Sequence, residues 1–131
     1  MEEEITRKTY NIKGRVFYQK ELVLGQLGLL VDLLKDIEFE KGLTNLQILK
    51  VLGDKTPHAM AIVLLEEGKQ IDKIEVGANG DFLEIEEVKK LTQFFANNVD
   101  ISLALKVVTD FFVCTPMTNI MQALAALIPA T

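Results

Sequence analysis

The clearest apolar period in the chain runs from Val23 to Ile37. Val23, Leu27, Leu30, Leu34 and Ile37 recur at spacings of four and three, the seam of a helix packed on another helix. Leu24, Val31 and Leu33 widen that face, and Gly25, Asp32 and Asp36 mark the opposite side. Gly25 and Gly28 lower helix propensity, which fits close helix approach or fraying of the first turn. Upstream, residues 5–20 alternate loosely, and Val16-Phe17-Tyr18 is rich in strand formers. Gly14 divides this stretch, so a short hairpin or one bent strand fits.

Downstream of Gly42 the punctuation is chemical. Thr44 with Gln47 matches a capping box and opens a helix through Leu46, Ile48, Leu49 and Leu52, ended by Gly53. Thr56-Pro57 reads as a cap followed by a first-turn proline, opening a helix that carries Met60 to Leu65 and stops at Gly68. Residues 69–80 fit a helical turn or a short strand, with a turn at Gly77-Ala78-Asn79-Gly80. Asp81, with Glu84 three positions on, caps a further helix with the stripe Ile85, Val88, Leu91 and Phe95. Asp100 caps a fifth, whose core face is Ile101, Leu105, Val108 and Phe112, flanked by Ala104, Val107 and Phe111. This phase puts Phe112 inside and Phe111 toward a neighbour. Thr115-Pro116 opens a sixth helix, carrying Ile120, Met121, Leu124, Leu127 and Ile128, and Pro129 ends it.

The expected fold is mainly α: one small domain, residues 1–131, of about six helices with a short N-terminal β segment or hairpin. Residues 1–21 form the extended segment, 22–98 the helical core and 99–131 an apolar helical pair.

Composition narrows the function. The 131 residues carry 19 acidic and 14 basic side chains, for a net charge of −5. That disfavours a phosphate-binding surface, because nucleic-acid affinity rests on clustered Lys and Arg. Arg7, Lys8, Lys13, Arg15 and Lys20 do cluster beside Tyr10, Phe17 and Tyr18, but Glu2, Glu3, Glu4 and Glu21 offset them. One Cys (Cys114) excludes an intramolecular disulfide and a Cys-based zinc site, and one His (His58) leaves no His pair for a metal. The acidic start, Met1-Glu2-Glu3-Glu4, is unlike a secretory signal and points to the cytoplasm. Only Asp100, Lys106 and Asp110 are charged in residues 99–131. So much apolar surface at one end calls for burial against a partner or a second copy.

Chemistry-bearing constellations are sparse. An EF-hand frame from Glu75 gains Gly80, Phe82 and Glu86 but lacks a side-chain ligand at Gly77, so a Gly-rich turn is the plainer reading. His58 sits in a first helical turn with Asp54 the nearest carboxylate, and nothing selects a catalytic partner. Cys114 follows Phe111-Phe112-Val113, an apolar setting that suits a small core residue rather than a reactive thiol. Residues 111–131 carry no charge, a length that could span a bilayer, but Thr115, Pro116, Thr118, Asn119 and Gln122 interrupt it. No phosphate loop, nucleophile elbow or metalloprotease motif occurs.

The segment Thr9-Tyr10-Asn11-Ile12-Lys13-Gly14, the Leu-rich helix and the stretch from Val107 to Pro116 with its Asp110-Phe111-Phe112 element together resemble the tail assembly chaperones of long-tailed phages and phage-like contractile particles. The resemblance covers most of the chain. It implies a mostly helical protein that coats the tape measure protein during tail assembly, self-associates and meets tail tube subunits. In many members a translational frameshift makes a longer second product.

The resulting expectation is a non-enzymatic chaperone without metal or cofactor, with Phe111, Met117, Ile120, Met121, Leu124, Leu127 and Ile128 as its protein-binding residues. The alternatives are a self-associating helical adaptor without a phage role, or a protein anchored in a membrane by residues 111–128.

Overall fold

A computed structural model describes residues 7–38, 42–69 and 72–115. The chain opens with a hairpin, β1 (Lys8–Ile12) and β2 (Arg15–Gln19), in which Tyr10 pairs with Phe17 and Ile12 with Arg15. Lys13 and Gly14 form its two-residue turn, both at positive φ (53° and 82°), the geometry that matches strand twist. The Asn11 side chain accepts from the Gly14 amide at 3.1 Å and supports it.

Helix α1 (Leu24–Leu34) follows, then α2 (Asn45–Leu52), a single 3-10 turn at Gly53–Lys55, and α3 (Thr56–Val63). Strand β3 (Leu65–Glu66) returns to pair with β2, giving a three-stranded sheet of order β1-β2-β3. A second hairpin, β4 (Ile74–Val76) and β5 (Phe82–Glu84), precedes α4 (Glu86–Asn98) and α5 (Ile101–Cys114). The expectation of about six helices with a single β segment is therefore corrected. The described residues hold five α-helices and two small antiparallel sheets; β4 takes the strand alternative open for residues 69–80, whereas β3 and β5 fall where helix was expected.

The corrections have local causes. Asp81 caps no helix: it closes a turn, accepting the Gly77 amide through its carbonyl at 2.8 Å, and α4 begins after Ile85. Thr56 is not a cap, because the preceding 3-10 turn already feeds α3, and Leu64 leaves the helix extended so that β3 can reach β2. The capping box at Thr44 is formed: its hydroxyl accepts the Gln47 amide at 3.2 Å, and the Gln47 side chain accepts the Thr44 amide at 2.8 Å.

The α1 seam is also shifted. Its buried residues are Gln26, Leu29 and Leu30, whereas Val23 is exposed. The glycine face packs, but against the second hairpin rather than a helix. The Ile74 side chain lies over Gly25 and the Phe82 ring over Gly28, close enough that a Cβ added at either glycine would clash with it. Gln26 is tolerated inside because its amide nitrogen donates to the carbonyls of Ile62 (3.0 Å) and Val63 (3.1 Å), and its oxygen accepts the Val23 amide at 3.1 Å.

The core lies between the first sheet and the helices. Phe17 is fully buried and meets Phe95 edge-on at 5.0 Å, with Ile62, Leu64 and Val88 closed around it. Of the expected α4 stripe, Val88, Leu91 and Phe95 are buried, while Ile85 is half-buried and precedes the helix. Arg15, at the start of the central strand, donates to both Glu66 carboxylate oxygens at 2.9 and 2.7 Å while its guanidinium stacks 4.5 Å from the Phe94 ring.

Candidate protein-binding surface

Asp100 caps α5, accepting the Leu103 amide at 2.8 Å. The helix is phased by polar contacts from the first hairpin. Gln19 donates from Nε2 to the Tyr10 hydroxyl (2.6 Å) and to the Val107 carbonyl (3.0 Å), and the Tyr10 hydroxyl donates to Asp110 Oδ2 at 2.8 Å. The Cys114 thiol lies 3.7 Å from the Gln19 carbonyl. Val107, Asp110 and Cys114 are therefore the side turned to the sheet.

This phase inverts the expected core face. Ala104, Val107 and Cys114 are buried, and Leu103 and Phe111 pack against the core. Ile101 is 75% exposed, Val113 is exposed, and Leu105, Val108 and Phe112 are half-buried outside the core cluster. The apolar strip Ile101–Leu105–Val108–Phe112 is real, but it faces away from the sheet. Phe111, expected toward a neighbour, is the inward ring, and Phe112 stands edge-on to it at 5.3 Å.

At the start of this strip lies an apolar groove of about 240 Å³ between α2, α3, α4 and α5. Leu49, Pro57, Met60, Phe95, Val99 and Ile101 contribute to its walls, and Asp100 is its one charged lining residue. Ile101 belongs to both groove and strip, so the two form one surface. The other expected binding residues, Met117, Ile120, Met121, Leu124, Leu127 and Ile128, lie outside the described residues, as does the expected sixth helix.

Burial sets the titration of two side chains on this face. Burial, with Asp110 beside it, holds the Tyr10 hydroxyl well above the usual tyrosine range. Burial likewise raises the Cys114 thiol, the opposite of what a reactive thiolate needs. His58 meets Glu84 on β5, Nε2 to Oε2 at 2.6 Å, rather than Asp54, and so ties the second hairpin to α3. The calcium frame from Glu75 to Glu86 spans that hairpin, its turn and the first residue of α4, and no group of three or more metal-ligating side chains occurs among the described residues. Sequence reasoning missed Lys73, which is 7% exposed and pushed down to about 8 by burial, despite Glu66 and Glu87 acting in the other direction. A lone Lys between Asp72 and a three-residue strand carries no sequence signal of burial.

The chain matches no protein-family model, no curated protein and no solved structure. Among the described residues, no helix is long and apolar enough to cross a membrane.

Proposed function

We propose that this chain is a non-enzymatic assembly chaperone that binds and coats a phage tape measure protein during tail assembly in the host cytoplasm. One observation carries the reading furthest. The last described helix presents Ile101, Leu105, Val108 and Phe112 outside the core, continuous with an apolar groove. An apolar strip beside a groove suits the nonpolar face of a long amphipathic helix, which docks by residues at spacings of three and four. The resemblance of the Tyr10 and Asp110-Phe111-Phe112 segments to tail assembly chaperones supplies the identity of the client. Contacts with itself and with tail tube subunits belong to the same proposal, as does a binding role for Met117, Ile120, Met121, Leu124, Leu127 and Ile128.

Co-expression tests it. The tape measure protein encoded in the same genome should be insoluble alone and recovered in a soluble complex with this chain. A genome that encodes no tape measure protein, or a client whose solubility this chain does not change, overturns the proposal.

A further inference from the structure

The two hairpins carry opposite charge. Residues 7–21 hold five cations and one anion, Glu21, and residues 72–87 hold six anions and one cation, the buried Lys73. Internal pairing consumes part of each set. Arg7 and Arg15 bind Glu67 and Glu66, while Glu84 meets His58 and Glu86 and Glu87 meet Lys89 and Lys90. Lys8, Lys13 and Lys20 on one hairpin, and Asp72, Glu75 and Asp81 on the other, have no ion-pair partner among the described residues. Each hairpin has one of these charges at or beside its turn (Lys13, Asp81) and at least one at its open end (Lys8 and Lys20, Asp72).

The acidic hairpin is also apolar. Val76 and Phe82 pair across it, and both are exposed. Phe82 lies over Gly28, and Leu24, one turn earlier on α1, is 79% exposed beside exposed Val23. An apolar centre with an unneutralised acidic rim is the anatomy of an interface whose partner is basic at its edge.

We infer that this surface binds the β1–β2 hairpin of a second copy of the chain, with Lys13 and Lys20 set against Asp72 and Asp81, the charges at the turns and open ends of the two hairpins. The outward-facing side chains of that hairpin, Val16 and Tyr18, are half-buried and meet the apolar centre. Each copy offers both halves, so the contact is self-complementary. It rests on the self-association contained in the proposed function, but it uses a surface separate from the α5 strip.

Sedimentation velocity of the full chain across a concentration series tests it, with no client present, so its failure is distinct from failure of client capture. The wild type should self-associate, more weakly at high salt because exposed charges are screened. Asp72→Lys/Asp81→Lys and Lys13→Glu/Lys20→Glu should each weaken association by about tenfold or more. An equimolar mixture of the two variants should regain it, since the reversed patch of one then matches the reversed hairpin of the other. Circular dichroism keeps unfolded variants out of the comparison, and Leu24→Ser provides a second route that leaves every charge in place. A monomeric wild type, association indifferent to the reversals, or no recovery on mixing overturns the inference.

Discussion

The Tyr10 hydroxyl donates to the Asp110 carboxylate across 2.8 Å, joining the first strand to the last described helix over 100 residues of sequence. Gln19 donates to the same hydroxyl at 2.6 Å, and Lys106 approaches the same carboxylate at 3.4 Å. The set decides which side of α5 faces the sheet. Tyr10→Phe removes the shared hydroxyl and leaves Asp110 without its closest partner. It should cost about 1–3 kcal/mol in chemical denaturation. The raised Tyr10 value also means that the folded state keeps a proton the unfolded chain gives up. Wild-type stability should therefore fall as pH rises past about 10, and Tyr10→Phe should lack that component of the fall.

Lys73 gives the opposite slope in an adjoining window. Its folded value of about 8 lies below the ordinary lysine value of about 10.4. The unfolded chain thus binds the proton more tightly, and stability should rise between those two values. Lys73→Met, which keeps the apolar stem, should gain up to about 3 kcal/mol at neutral pH, with the gain fading above about pH 10. Denaturation midpoints at several pH values check it. A pH-independent difference would show that burial does not govern Lys73.

Gly25 and Gly28 both hold the second hairpin, yet their substitutions should differ. At Gly25 a new Cβ meets Ile74, which packs against the core and has little room to move. At Gly28 it meets the ring of Phe82, which is 44% exposed and can swing outward. Gly25→Ala should cost about 1–3 kcal/mol, as overpacking does. Gly28→Ala should come closer to neutral, since alanine returns up to about 1 kcal/mol of helix propensity. Thermal melts of the two variants make the comparison.

The adjacent phenylalanines divide in the same testable way. Phe111 packs against the core, and Phe112 lies outside it. Phe111→Ala should cost about 3 kcal/mol of stability, near the low end for large aromatic truncations because the ring is half-buried. Phe112→Ala should cost distinctly less. Equal losses in denaturant would contradict the observed phase of α5.

Much of the helical punctuation was legible in the sequence because it is local. The Thr44–Gln47 capping box, the Asp100 cap and the α4 stripe each depend on residues within a turn or two. What failed depends on distant partners. The phase of α5 could not be read from its apolar positions, which surround most of the helix. It is set by Gln19 and Tyr10, about 90 and 100 positions away. Strands of two and three residues, β3 to β5, are too short to display a period of two, so Asp81 was read as a helix cap. The burial of Gln26 has no local signal, because its partners, the Ile62 and Val63 carbonyls, belong to another helix. For the candidate surface, the apolar strip on α5 was legible as a strip. Its direction was not: both rings are half-buried, and it is Phe112, not Phe111, that lies outside the core.

The central claim is that the outer strip of α5 holds an apolar helical client. Its most direct test is the turbidity of the cognate tape measure protein, diluted from denaturant into buffer with wild-type or Phe112→Ser chain. Wild type should suppress aggregation in proportion to its concentration. Phe112→Ser, folded by circular dichroism, should need several-fold more protein for the same effect. Equal suppression by the two, or none by the wild type, would contradict the account.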